Sequence, residues 1–147
     1  MKLSTRGRYA TRALLELTLT EPGKTSTLKD IAQRQNISLR YLEHLITPLI
    51  AAGIVRTTRG PKGGIALARP PSEIKLSEII QLLEGSIAPV DCVDNPGLCT
   101  RADSCASRDI WCQVKDAVSS VLDSVSLQNL AQCSRDKKPL PKTPELV

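Results

Sequence analysis

The chain has 147 residues and a formal net charge of +5, with one Trp, two Tyr and no Phe. That length suits one domain, and a core built from Leu, Ile, Val and Ala favours packed helices over an aromatic-rich sheet. No run approaches the roughly eighteen apolar residues of a membrane span, and charges stand where a signal peptide is apolar, so a cytoplasmic protein is expected.

Charge is unevenly shared along the chain. Residues 1–69 carry twelve Lys and Arg against four Asp and Glu, and residues 70–147 carry eight against eleven. A basic first half on a mildly acidic second half points to a polyanion-binding module joined to something else. A solvated basic face would give the same charge.

Ser4 or Thr5 can cap a first helix, in which Tyr9, Ala10, Ala13, Leu14 and Leu17 recur at the spacing of one buried face. Arg6, Arg8 and Arg12 fall elsewhere around it, and Glu21-Pro22-Gly23 predicts its end. Thr27 can cap a short helix through Leu28, Ile31 and Ala32, followed by a turn at Gln35-Asn36. Ser38 then caps a helix with Leu39, Leu42, Leu45, Ile46, Leu49 and Ile50 as its apolar face, ending at Gly53. Two helices joined by a tight turn on a basic chain have the form of a helix-turn-helix. A plain helical hairpin has the same spacing.

Residues 54–58 and 64–68 read as two short strands around R-G-P-K-G-G, a glycine-rich turn with two cations. A basic hairpin directly after a helix-turn-helix predicts a winged helix, with the recognition helix in the major groove and the wing on the backbone or in the minor groove. Arg59 is long enough to enter a narrow minor groove. Leu76, Ile79, Ile80 and Leu83 then mark a short helix ending at Gly85.

The next stretch, Asp91 to Cys112, contains four of the five cysteines: Cys92, Cys99, Cys105 and Cys112. Polar loop residues separate them, and clustered thiols in a reducing compartment are more often metal ligands or sensors than disulfides. A helix from about Ser107 to Ser124 follows, with Ile110, Val114, Ala117, Val121 and Val125 on one face and Trp111, Val118 and Leu122 beside it. So wide a stripe suits a dimer interface, and a core helix is the alternative. Ser126 restarts a brief helix through Leu127 and Leu130.

The expected fold is mainly α. Residues 1–70 form a winged helix-turn-helix with a two-stranded wing, and residues 71–133 carry the connecting helix, the cysteine segment and a long C-terminal dimerisation helix. Residues 134–147, polar with three prolines, are expected to form a disordered tail.

Four motifs, K-L-S-T-R-G-R-Y-A, I-S-L-R-Y-L-E-H-L, R-G-P-K-G-G and the three-cysteine loop before the helix with Trp111, occur in order. The chain from Met1 to about Gln132 thereby resembles the iron–sulfur winged-helix regulators of the IscR and NsrR type, the Rrf-two family. That resemblance implies a homodimer that binds double-stranded DNA at a palindromic operator and carries one iron–sulfur cluster per subunit, of two or four irons. Ser38, Tyr41 and Glu43 match the family's recognition helix, and Arg59, Gly60, Gly63 and Gly64 match its wing. Arg40 and Lys62 can add phosphate contacts. A glutamate at position 43 can accept from cytosine N4, and most protein–DNA hydrogen bonds anchor the backbone. Read singly, Ser38 is also a helix cap, Tyr41 packing and Glu43 a solvated charge.

Cys92, Cys99 and Cys105 match the three cysteine ligands, with six residues in the first interval where five is more usual. The fourth ligand departs from the family. Arg108 stands where the IscR-like branch has histidine and Arg8 where the NsrR-like branch has an acid, and arginine cannot ligate iron. His44, the only histidine, lies on the recognition helix. Cys112 is the first candidate by softness, although seven helical residues span about 10 Å along the axis. It can serve if Cys105 precedes the helix or if the cluster is large. Asp109, Glu16, Asp94, Asp103, Cys133 and an exogenous ligand remain open.

The reading is a DNA-binding regulator, a repressor, whose operator affinity follows a cluster that senses cluster supply, redox state or nitric oxide. The alternatives are a winged-helix regulator with a zinc or thiol switch, and a redox or metal-trafficking protein without DNA binding. No histidine–cysteine pair, phosphate loop or paired-carboxylate motif suggests an enzyme.

Overall fold

A computed structural model describes residues 2–137. The order is α1 (Thr5–Leu19), α2 (Leu28–Gln35), α3 (Leu39–Ala51), β1 (Val55–Thr58), β2 (Gly64–Leu67), α4 (Leu76–Glu84), α5 (Asp91–Asp94), α6 (Ala106–Ser124) and α7 (Leu127–Asp136). Two 3-10 turns, Pro96–Leu98 and Ala102–Ser104, lie between α5 and α6.

Local chemistry accounts for the first elements. The Ser4, Thr27 and Ser38 hydroxyls accept from backbone N–H groups of the first turns of α1, α2 and α3. Each satisfies a donor that the helix cannot satisfy itself. The turn from α2 to α3 pivots on Asn36, at φ 54°, where asparagine tolerates the left-handed conformation better than most side chains. Helix α1 stops at Leu19, ahead of the predicted Glu21-Pro22-Gly23 turn, where Thr20 takes extended backbone at φ −69° and ψ 142°.

β1 and β2 pair antiparallel, with Val55 opposite Leu67 and Thr58 opposite Gly64. Ser26, just before α2, adds a one-residue bridge to Ile65, exchanging bonds of 3.0 and 2.8 Å. The wing is thus tied to the helix-turn-helix through its inner strand. A Cβ on Gly64 would lie 2.5 Å from the Ser26 carbonyl oxygen, so only glycine permits this approach.

One core runs through the chain. Leu14 of α1, Ile31 of α2, Leu42 and Ile46 of α3, Ile79 of α4 and Leu127 of α7 are all at most 1% exposed and belong to one cluster. Burying each such side chain contributes about 1.5–3 kcal/mol. Because α4 and α7 share this core with the helix-turn-helix, it does not divide at residue 70. Leu39 and Ile50, expected on the buried face of α3, are 41% and 38% exposed.

An antiparallel bridge joins Lys75 to Ser126, with Leu76 N–H on the Val125 carbonyl and Leu127 N–H on the Ile74 carbonyl. Everything between is an excursion that starts and ends at this bridge: α4 packs in the core, and the cysteine segment and α6 extend beyond it. The cysteine segment is not the irregular loop expected but a succession of short helical turns. α6 has no buried residue, with Ile110 52% and Val121 62% exposed. α7 continues to Asp136, so Ser134, Arg135 and Asp136 are helical where a tail was expected to begin. The rest of that tail, from residue 138, lies outside the described residues.

Candidate nucleic-acid interface and cysteine segment

Helix α3 presents its first turns to solvent. Ser38 is the N-cap of α3, its hydroxyl accepting from Tyr41 N–H at 3.2 Å, which leaves the hydroxyl proton free to donate outward. Arg40 and Glu43 are exposed, and Tyr41 is half-buried. Tyr41 packs edge to face on Tyr9 of α1, ring centroids 6.1 Å apart at 86°, an arrangement that aromatic quadrupoles favour. The guanidinium groups of Arg8 and Arg12 stand 6.0 and 5.3 Å from the Tyr9 centroid. Arg12 also donates to the Gln35 carbonyl. Tyr9 and Arg12 were legible only as a core position and a surface charge; the contact across helices has no signature in linear spacing.

At the wing, Arg59, Gly60 and Lys62 are all exposed. Gly60 has φ +104°, and its carbonyl accepts from Gly63 N–H at 2.8 Å, which turns the tip. Thr25 holds the tip from below, donating to the Lys62 carbonyl at 2.8 Å. Among the described residues, Arg40, Glu43, Arg59 and Lys62 form no ion pair, so three cations and one acid face outward uncompensated. A helix end and a cationic hairpin on one basic module are the parts that a winged helix brings to a duplex.

The cysteines occupy five different settings. Cys92 lies on α5, half-buried, and Cys99 is exposed at the end of the first 3-10 turn. Cys105 is the N-cap of α6, in extended backbone just ahead of the helix, and Cys112 is half-buried within it. Cys133 is exposed on α7. All five thiols are free. Cys105 therefore meets the condition that would let Cys112 serve beside it, namely a position before the helix begins.

Hydrogen bonds hold the segment to its surroundings. Arg108, on the first turn of α6, donates to the Cys92 carbonyl at 2.8 Å. Asp94 accepts from Ser86, in the link after α4, and from Lys115 of α6. These partners, Lys115 foremost, hold the Asp94 carboxyl below its ordinary range, and the same contact raises Lys115. The Cys105 thiol is lowered chiefly by the Ser107 hydroxyl at 3.1 Å, then by the Arg108 N–H, against partial burial and the charge of Asp109. A lowered thiol is the better nucleophile and the better metal ligand.

The donors are right in kind for an iron–sulfur cluster, since thiolates are its usual ligands. Among the described residues no three Cys, His, Asp or Glu side chains converge as a metal site requires.

The family profile of Rrf2, an iron-dependent transcriptional regulator, matches residues 3–133. The HTH-type transcriptional regulator CymR of Bacillus subtilis (strain 168) is 40% identical over 131 residues, 89% of this chain and 90% of that protein. The solved structure of CymR, the global cysteine regulator of B. subtilis, has a TM-score of 0.78 at 39% identity, covering 90% of this chain and 98% of its own. That of T. potens IscR has a TM-score of 0.76 at 33% identity, covering 95% and 93%. No helix among the described residues is long and apolar enough to cross a membrane. The chain belongs to the Rrf2 family, and it is a DNA-binding regulator of transcription rather than an enzyme.

Proposed function

We propose that this regulator is a cytoplasmic homodimeric repressor that reads a palindromic operator and takes its signal through the segment from Cys92 to Cys112. The observation that carries the reading is placement. The thiols lie on an excursion between α4, which packs on the DNA-reading unit, and α6, where Ile110, Trp111 and Val121 are exposed. Ser38, Arg40, Tyr41 and Glu43 would face the major groove. Arg59, Gly60 and Lys62 would follow the backbone or enter the minor groove beside it. α6 of a second copy would cover Ile110, Trp111 and Val121.

The cofactor proposed is an iron–sulfur cluster of two or four irons, with Cys92, Cys99 and Cys105 as its ligands. The three thiols, their reach to solvent and the likeness to IscR support it. A second reading is thiol chemistry without a metal. It is favoured by the separation of the thiols, by the lowered thiol of Cys105 and by the likeness to a cysteine regulator. A structural zinc site fits less well, because intervals of six, five and six residues are unlike ordinary zinc-ligand pairs.

Iron, zinc and acid-labile sulfide analysis of anaerobically purified protein separates these readings. Iron with sulfide supports the cluster; its lack after anaerobic reconstitution removes that cofactor. Promoter-fragment binding that is specific and steeply salt-dependent excludes a trafficking protein without a DNA role. Binding that ignores sequence would overturn the operator reading.

A further inference from the structure

The N-terminus of α1 is capped from the opposite end of the excursion's first helix. Ser4 is the N-cap, and its hydroxyl accepts from Arg6 N–H at 3.1 Å while donating to Oε1 of Glu84 at 2.5 Å. The same Glu84 oxygen accepts from the backbone N–H groups of Ser4 and Gly7, at 3.2 and 3.0 Å. In an ordinary capping box the third helical residue supplies the Glu or Gln that reaches back to the N-cap. Here that residue is Gly7, which has no side chain, and the carboxylate arrives from α4, 77 positions away. The first turn of α1 has no acid of its own, so Glu84 provides the negative charge its dipole favours.

Gly7 is what admits the carboxylate. A Cβ there would lie 2.6 Å from Glu84 Oε1, nearer than real side chains come. One contact therefore depends on two residues far apart in sequence.

Both ends of this contact lead somewhere. Glu84 is the last residue of α4, followed by Gly85 at φ +75° and then Ser86, whose hydroxyl bonds to Asp94 in the cysteine segment. On the other side, two residues past Gly7, Tyr9 packs against Tyr41 of the recognition helix.

We propose that Glu84 is a positioning residue for DNA recognition. It fixes the start of α1, and through Tyr9 the seat of Tyr41, at the point where the chain passes into the cysteine segment. A change in that segment then reaches the recognition helix through Ser86, Gly85 and Glu84. The relay rests on the reading of the segment as the sensing element; the positioning role does not.

The test uses the full chain, with operator binding measured by fluorescence anisotropy and folding followed by thermal melting. Glu84→Ala and Gly7→Ala should each weaken operator binding about tenfold, the size of a lost helix cap. The double variant should be no weaker than either, because both remove one contact. Glu84→Gln, which keeps an acceptor oxygen, should recover most of the loss. Additive losses, or unchanged affinity, would overturn the positioning role.

The relay is read from a second comparison, between wild type and the Cys92→Ser/Cys99→Ser/Cys105→Ser chain, which removes cluster and thiol chemistry alike. The ratio of their operator affinities should depart from one with Glu84 present and move toward one in Glu84→Ala. A merely structural Glu84 would lower the melting temperature and leave the ratio unchanged, and that result sinks the relay. A ratio of one in wild type overturns the sensing reading and the relay with it, while the Glu84/Gly7 cycle still decides the positioning role.

Discussion

Arg108 and Cys92 are joined by a hydrogen bond of 2.8 Å from the guanidinium Nε to the backbone carbonyl. Arg108 follows Cys105 by three residues, so this bond ties the turn that carries Cys92 to the first turn of α6, just after Cys105. It puts a fixed cation where the resemblance implied a metal-binding histidine. An arginine cannot ligate, but it can hold the chain that does.

Replacing Arg108 with Ala should therefore loosen α5 without unfolding the core. A lost charge-assisted bond costs about 1.5–3 kcal/mol locally. Alkylation of Cys92, followed by peptide mass spectrometry, should accelerate several-fold relative to Cys112. Equal rates in wild type and variant would mean that the bond does not restrain the segment.

Arg59 at the wing tip is exposed and has no acidic partner among the described residues. Arg59→Ala should weaken operator binding, and if its contact is to phosphate the slope of log affinity against log salt should fall by about one. Glu43→Gln should instead relax sequence preference with little change in that slope. Titrations at several salt concentrations, with operator and scrambled duplexes, distinguish a backbone contact from a base contact.

Gly64→Ala should detach the wing. The added Cβ would sit 2.5 Å from the Ser26 carbonyl, at a φ of +154° that side chains avoid. Operator affinity should drop at least as far as in Arg59→Ala, while far-ultraviolet circular dichroism keeps its helical signal. Wild-type affinity would show that the Ser26–Ile65 bridge does not matter for binding.

Leu14 is fully buried where α1 joins the core. Leu14→Ala should lower unfolding free energy by about 2–5 kcal/mol, read from the urea midpoint. Val121, 62% exposed on α6, offers the contrast. Val121→Glu should leave an isolated subunit's stability almost unchanged but shift sedimentation from dimer toward monomer. A variant that stays dimeric places the interface elsewhere.

Caps, turns and apolar periodicity determined the winged helix-turn-helix from sequence alone. These are local: Ser38 caps whatever helix follows it, Asn36 turns where it stands, and Leu42, Ile46 and Leu49 recur at the spacing of one face. The cysteine pattern was equally legible as a set of thiols at fixed intervals. Tertiary structure decided what lies across the fold. Nothing in linear spacing could pair Glu84 with Gly7, Tyr9 with Tyr41 or Arg108 with Cys92, because each contact depends on how separate helices pack. It likewise decided that no residue of α6 is fully buried within one chain and that the three cysteines do not converge. Thiols in a polar segment have no apolar core to draw them together, and their distances follow the backbone turns that carry them.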